Sequence, residues 1–536
     1  MTKAVVIGAG VAGLATAGLL ARQGFEVQVL EKNSRWGGRA GSVERDGFRF
    51  DTGPSWYLMP RVFDHFFALM GTSTAEQLDL QMLRPGYRVF PEPATVGAAS
   101  APITVPHGAA AAVDLFESLE PGAGRKLETY LASARQATDL AEKYFLYNPF
   151  TRLSSLTGRE VLASMPKLPG LLLRSLEKYV AARFDHPVIR QILGYPAVFL
   201  GTDPARAPAM YHLMSALDLE EGVQYPAGGF AHLVDRIGVL ALEAGAAVTT
   251  EAEVTRILTS NDHGKKPRVT GVRWVDAAGQ IHAEEADVVV SAADLHHTET
   301  SLLDSPHRSY PEQWWQRRTS GPGALIVMLG IRGKLPQMPH HSLFFTADWS
   351  ANFEAIFGED AHIPTPASVY VCRPSATDPT VAPEDHDNLF VLVPIPADTS
   401  LGGGGGEGAG DPAIEAAAEA VIDQVAQWAD APDLRQRIVV RETLGPADFA
   451  DDYHSWRGGM LGPAHILQQS AMFRAQNVSR RVEGLYYSGA TTAPGVGVPM
   501  CLISAELVLK RVTGDHSPGP LPEPMRAASE AGGDSR

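Results

Sequence analysis

"VVIGAGVAGLATAGLLARQGFEVQVLEKNSRWGG" runs from Val5 to Gly38. Ala4–Ile7 is a short apolar run of the kind found in a strand buried on both faces. Val11–Gln23 carries small and apolar residues and stops at Gly24, a natural helix end. Glu26–Leu30 alternates into a second strand, so the stretch reads as a β-α-β unit. Gly8, Gly10 and Gly13 sit between strand and helix in Gly-x-Gly-x-x-Gly spacing. Gly8 permits the tight turn, Gly10 lets backbone approach a pyrophosphate, and Gly13 lets the helix pack close to the strand. The helix N-terminus supplies free N–H groups and a positive dipole end. Glu31 ends the second strand at the distance expected for a carboxylate that binds ribose hydroxyls. The unit therefore predicts a dinucleotide site in an α/β fold.

The fingerprint alone does not choose between a nicotinamide and a flavin dinucleotide. Gly37-Gly38-Arg39 follows Glu31 closely and leads into "FRFDTGPS" (Phe48–Ser55). A second glycine pair brings another loop to the same pyrophosphate, and Arg39 can neutralise it. Far downstream, "YYSGATTAPGVGVPMCLISAELVLKRV" (Tyr486–Val512) again runs from strand through a glycine-rich loop to helix. Such a loop can present N–H groups to a flavin's ribityl chain or ring edge. The cofactor read from these features is FAD. "LGGGGGEGAG" (Leu401–Gly410) contains the same glycine spacing formally. No strand leads directly into it, so it is read as a flexible loop.

The chain has 536 residues, enough for two or three domains, and a net charge of −16, which argues against a nucleic-acid surface. Its two cysteines, Cys372 and Cys501, exclude a disulfide framework, fit a reducing compartment, and are read as buried apolar fillers. The N-terminus enters a strand pattern at once, so no secretory leader is expected. No apolar run approaches the ~20 residues of a spanning helix. The expected location is cytoplasmic and peripheral on a membrane face, without a spanning helix.

The quoted pieces, with "YPAGG" (Tyr225–Gly229), "SAADLHHT" (Ser291–Thr298) and "QQSAMFRAQN" (Gln468–Asn477), resemble bacterial-type phytoene desaturases within the wider amine oxidase-like flavoproteins. The resemblance extends from Lys3 to about Val512. Met500-Cys501 departs from it, where many members have smaller residues. The resemblance implies that Gly8, Gly10, Val11, Ala12 and Gly13 line the pyrophosphate and that Glu31 meets the adenosine ribose. Gly38 and Arg39 would add diphosphate contacts, and Val254 would meet the adenine through its backbone. Pro54 and Ser55 would lie near the flavin ring, and Gly489, Val498 and Pro499 near the ribityl chain and isoalloxazine. It also implies FAD-dependent desaturation of an apolar carotenoid substrate. Related activities stay open: a carotene isomerase, a saturase-like flavoenzyme, or an amine or porphyrinogen oxidase. A non-catalytic lipid chaperone resembling GDP-dissociation inhibitors is a further alternative.

The expected architecture is a Rossmann-like FAD-binding domain over 1–94, 223–303 and 484–512, interleaved with an α+β substrate domain over 95–222 and 304–483. Residues 513–536 read as a disordered tail. Pro121–Leu219 reads mainly as helix, and "LPGLLLRSL" (Leu168–Leu176) as either helical core, tunnel wall or membrane-facing surface. Gly323–Gly330, Ser368–Val371 and Leu389–Ile395 suggest a second sheet. No catalytic acid or base is assigned by pattern. His454 is the weak candidate, with Asp452 and Trp456 unranked. No metal site is expected. With no second nucleotide fold, electrons would pass from flavin to oxygen or a membrane quinone.

Overall fold

The computed structural model describes residues 1–95, 97–151, 168–260 and 266–525. A five-stranded parallel sheet has the order Leu485–Tyr487, Val288–Ser291, Lys3–Ile7, Glu26–Leu30, Ala247–Thr249. Its central strand, Lys3–Ile7, pairs with Val288–Ser291 on one side and Glu26–Leu30 on the other. Helices Val11–Arg22, Gly229–Glu243 and Val498–Thr513 share one core with that sheet. The first of these is buried from Val11 to Ala21. Its run of alanines and glycines explains how it lies so close to strand and neighbouring helix. A side-chain carbon at Gly18 would meet Met70 Cε at 2.9 Å. A three-stranded antiparallel sheet, Ala252–Thr259, Val269–Asp276 and Ile281–Glu285, covers the other side.

The second body is a seven-stranded sheet. Its order is Ile438–Leu444, Gly323–Arg332, His386–Ile395, Val369–Cys372, His341–Phe345, Tyr87–Pro91, Ile103–Val105. Alternation along Gly323–Arg332 divides its two faces. Leu325, Val327 and Leu329 pack with Ile414, Val421 and Val425 of helix Pro412–Trp428. Ala324, Ile326 and Met328 face a helical layer that includes Phe116, Leu127, Phe184 and Ile189. Each fully buried Leu, Ile or Phe contributes about 2–3 kcal/mol of transfer free energy.

Three expectations change. Tyr87–Pro91 falls inside the range 1–94, yet it pairs in parallel with His341–Phe345 in the second sheet. The chain therefore crosses between the two bodies before Tyr87. Residues 514–525 pack back onto the protein: Met525 is buried, and the Leu521 N–H donates to Glu506 at 2.7 Å. Residues 526–536 lie outside the described residues, as does the part of the expected helical block over 152–167. The glycine run Leu401–Gly410 is pinned, because the N–H groups of Gly403, Gly404 and Gly405 donate to Asp411, Asp448 and Thr443.

Candidate functional site

Three glycine-bearing loops meet at the carboxyl ends of the parallel strands. Gly8 holds φ at +94°. Its N–H donates to the Leu30 carbonyl at 2.8 Å, which ties the turn to the neighbouring strand. A β-carbon at Gly13 would lie 1.9 Å from the Gly8 oxygen, so only glycine lets the helix start there. At Gly10 the nearest atom to such a carbon is the Gly37 oxygen at 4.0 Å. This side of the loop is open. The helix begins with no side-chain cap and no acidic residue in its first turn, which leaves its N–H groups for an anion.

The second loop lies along the first. The Gly37 N–H donates to the Ala9 carbonyl at 2.9 Å, and Gly10 and Gly37 pair as an isolated parallel bridge. The Arg39 guanidinium donates to Ser455 Oγ and stands 3.7 Å from the Asp294 carboxylate. Its Nε is buried and without a hydrogen-bond partner. The third loop arrives from the C-terminal segment. Gly489, at φ +117°, would place a β-carbon 3.5 Å from Ala12 Cβ. Gly497 then caps the helix that starts at Val498, again with no side-chain cap. Glu31 is buried and accepts the Ala9 N–H at 2.6 Å and the Asn33 N–H at 2.9 Å.

Gly8, Gly10, Val11, Ala12, Glu31, Gly38, Arg39, Pro54, Ser55, Val254, Gly489, Val498 and Pro499 all line one cavity of about 940 Å³. Gly13 lies directly behind it, beneath Gly8. Two uncapped helix N-termini, an arginine with a spare N–H and a backbone cleft without β-carbons fit a dinucleotide diphosphate. The flavin containing amine oxidoreductase family model matches residues 11–512. The chain belongs to this family. Its cofactor is FAD, and it is an FAD-dependent oxidoreductase.

Within the family, the chain is 39% identical over 502 residues to the carotenoid 3,4-desaturase of Haloarcula japonica, covering 94% of this chain and 96% of that protein. It is 29% identical to a 4,4'-diapophytoene desaturase (4,4'-diaponeurosporene-forming) of Staphylococcus aureus, covering 96% and 100%. Among solved structures, cyclohexylamine oxidase from Brevibacterium oxydans superposes with a TM-score of 0.57 at 15% identity, covering 96% of this chain and 99% of that one. Putrescine oxidase bound to putrescine gives 0.58 at 15%, covering 96% and 99%. These two likenesses establish the shared fold.

Beyond the glycine loops the cavity turns apolar. Ile326, Leu343, Phe345 and Leu392 of the seven-stranded sheet form one wall, and helical residues such as Phe199 and Leu217 another. Trp56, Tyr195 and Tyr370 stand between the two regions as a contiguous ring cluster. At the surface, Leu172, Met472 and Phe473 both line the cavity and are exposed at 37%, 47% and 58%. Leu173 beside them is 77% exposed. Side chains of 152–168 are outside the described residues, so "LPGLLLRSL" is placed only from Pro169 onward.

His454 sits at the Glu31–Val254 end. Its Nε2 lies 3.3 Å from Glu253, and its ring stacks on His297 at 3.8 Å. Burial lowers the proton affinity of both rings, and holds His297 near 4. Asp452 also lines the cavity, whereas Trp456 packs in the core beneath the three-stranded sheet. Cys372 is buried as read, but Cys501 is half-buried and lines the cavity.

Sequence reasoning assigned no role to several lining residues. Ala292, Ala293 and Asp294 follow strand Val288–Ser291, and their signal was available: "SAADLHHT" leaves a buried strand at its carboxyl end, where open α/β sheets bind ligands. His465 gave none. It lines the cavity, its Nδ1 meets Tyr211 Oη at 2.9 Å, and its Nε2 accepts the Val496 N–H at 3.4 Å. Burial keeps it neutral. Asp218 also went unnoticed. Its carboxyl accepts from Tyr195 at 2.7 Å and Tyr87 at 3.0 Å, and burial pushes it up to about 7.

Proposed function

We propose that this flavoenzyme desaturates a long apolar polyene of the carotenoid class, taking phytoene to lycopene or to a partly desaturated carotene. The observation that carries the reading is the continuity of the cavity, from the glycine loops to an apolar wall built by sheet and helix. The names of the relatives from Haloarcula japonica and Staphylococcus aureus support the same substrate class.

Gly8–Gly13, Gly37–Arg39 and the Gly489–Pro499 segment would hold the diphosphate and ribityl chain, with Glu31 and Val254 toward the adenosine. When bound, FAD supplies a hydride acceptor, so that a saturated carbon pair loses one hydrogen as hydride and the other as a proton. The protein's own task is alignment, because the reacting C–H bonds are not acidic. A substrate with few polar groups is held by shape and apolar area. Ile326, Phe345 and Leu392 provide that surface. His465, held by Tyr211 at Nδ1 and by the Val496 N–H at Nε2 and with its proton affinity lowered by burial, would fix the cavity lining rather than take the proton. His454 is set toward Glu253 and would serve the adenosine end instead.

We place the enzyme on a membrane face through Leu172, Leu173, Met472 and Phe473. The substrate is lipid-soluble, and three of these exposed side chains, Leu172, Met472 and Phe473, also line the cavity. Among the described residues no helix is long and apolar enough to cross a membrane. The reduced cofactor would be reoxidised by oxygen or a membrane quinone.

The test is incubation of purified FAD-loaded protein with phytoene, and separately with its C30 analogue, in liposomes. Desaturation moves the product's absorption to longer wavelength and gives species lighter by two hydrogens per step. Products of unchanged mass would mean isomerisation. Oxidation of an amine with no change in either polyene would overturn the substrate class.

A further inference from the structure

Behind the cavity wall lies a cluster that the desaturation chemistry does not use. His340 and His341 are adjacent in sequence, and Cys372 is the cross-strand partner of His341. Antiparallel partners share a face, which brings thiol and imidazole together. All three residues are buried, with exposures of 4%, 0% and 2%. One ring nitrogen of each histidine and the Cys372 sulfur lie within 4.8 Å of one another.

The hydrogen bonding leaves this cluster incomplete. His340 Nδ1 is 2.8 Å from Thr377 Oγ1, and His341 Nδ1 is 2.8 Å from Tyr370 Oη. Both Nε2 atoms are buried with no partner. A buried polar atom without a partner is costly, and two in one cluster call for a ligand. In the tautomer where each Nδ1–H donates to its hydroxyl oxygen, Nε2 keeps a lone pair, which is the outer-shell arrangement of metal-ligating histidines.

We propose that His340, His341 and Cys372 form a structural site for a d¹⁰ cation, Zn²⁺ or Cu⁺. Two imidazoles and a thiolate are the donor set such ions select. Metal–nitrogen and metal–sulfur bonds of about 2.0–2.3 Å require the three donors to draw inward by roughly half an ångström each. Binding displaces the Cys372 proton to solvent. The site would brace the cavity wall. His341 stacks on Trp56 at 4.5 Å, and Tyr370 also bonds Ser55 at 2.6 Å, so strands of the second sheet would be fixed against the segment that borders the flavin cleft.

The experiment uses full-length, FAD-loaded protein. It is stripped with a chelator, then equilibrated separately with Zn²⁺, with Co²⁺ as a spectroscopic substitute, and with Cu⁺ under reducing, anaerobic conditions. Elemental analysis after desalting is expected to give about one equivalent per chain for Zn²⁺ or for Cu⁺, and whichever survives competition by a chelator identifies the ion. Co²⁺ is expected to give a thiolate charge-transfer band in the near ultraviolet. Cys372→Ser and His340→Gln should each lower occupancy at least tenfold, while Cys501→Ser keeps it. Bound flavin absorbance reports that each variant is folded, and two ligand variants guard against failure of one. Occupancy below a tenth of an equivalent in the wild type, wild-type occupancy retained in both ligand variants, or no thiolate band would overturn the site.

Discussion

Gly13 and Gly8 are packed so closely that a β-carbon on the first would stand 1.9 Å from the carbonyl oxygen of the second. A β-carbon on Gly10, between them, would have no protein atom nearer than 4.0 Å. One glycine is thus required by the protein and the other by its ligand. Gly13→Ala is expected to give little soluble protein, with a melting temperature far below wild type. Gly10→Ala should fold with an apoprotein melting temperature within a few degrees of wild type, yet bind FAD ~10–100-fold more weakly, about 1.4–2.8 kcal/mol. Flavin titration beside thermal melting separates the two, and equal behaviour of both variants would contradict the assignment.

Arg39 reaches Ser455 and Asp294 while one of its N–H groups stays unused. Arg39→Gln removes the charge opposite the proposed diphosphate. A fall of about tenfold in FAD affinity, growing smaller as salt is added, is the expected result. Affinity that is unchanged at low salt would assign the arginine to structure alone.

Asp218 ties pH to stability. Its carboxyl is pushed from 3.8 to about 7 by burial, so the folded protein keeps a proton that the unfolded chain has lost. The resulting stabilisation is complete below pH ~4, declines as pH rises toward 7, and is absent above; by linkage it is on the order of 4 kcal/mol. Asp51, raised to about 6 for the same reason, acts in the same direction. The stability of Asp218→Asn relative to wild type should therefore increase between pH 5 and 8. Parallel denaturation curves across that range would show that the carboxyl does not titrate there.

Residues 514–525 fasten a buried lysine. Lys510 Nζ donates to the Tyr147, Ser517 and Gly519 carbonyls, and His65 bridges Glu506 and Glu523. A chain ending at Thr513 loses Ser517, Gly519 and Glu523. It leaves Lys510 and Glu506 with fewer partners in a buried site, which is strongly destabilising. A drop in melting temperature of at least ~5 °C is expected, and an unchanged melt would mean the contacts contribute nothing.

Leu173 and Phe473 are 77% and 58% exposed beside the cavity's opening. Leu173→Ser with Phe473→Ser should leave bound flavin intact and cut co-sedimentation with phospholipid vesicles several-fold, since each side chain would bury about 2 kcal/mol of apolar surface. Wild-type protein found only in the supernatant would end the membrane proposal.

The amino-acid order alone determined the first β-α-β unit and its glycine turn, because strand period, glycine spacing and helix stop are all local within Lys3–Glu31. It also carried the second and third glycine loops, which announce themselves by the same backbone requirement. What only the tertiary structure decided is what those loops meet and what lies beyond them. Tyr87–Pro91 gives no local sign of which sheet it joins; its partner, His341–Phe345, lies far downstream. Asp218, His465 and the His340–His341–Cys372 group look ordinary in sequence, since burial and lost hydrogen-bond partners are properties of packing. A glycine reports its own backbone, whereas a buried acid, imidazole or thiol acquires its chemistry from residues 23 to 254 positions away.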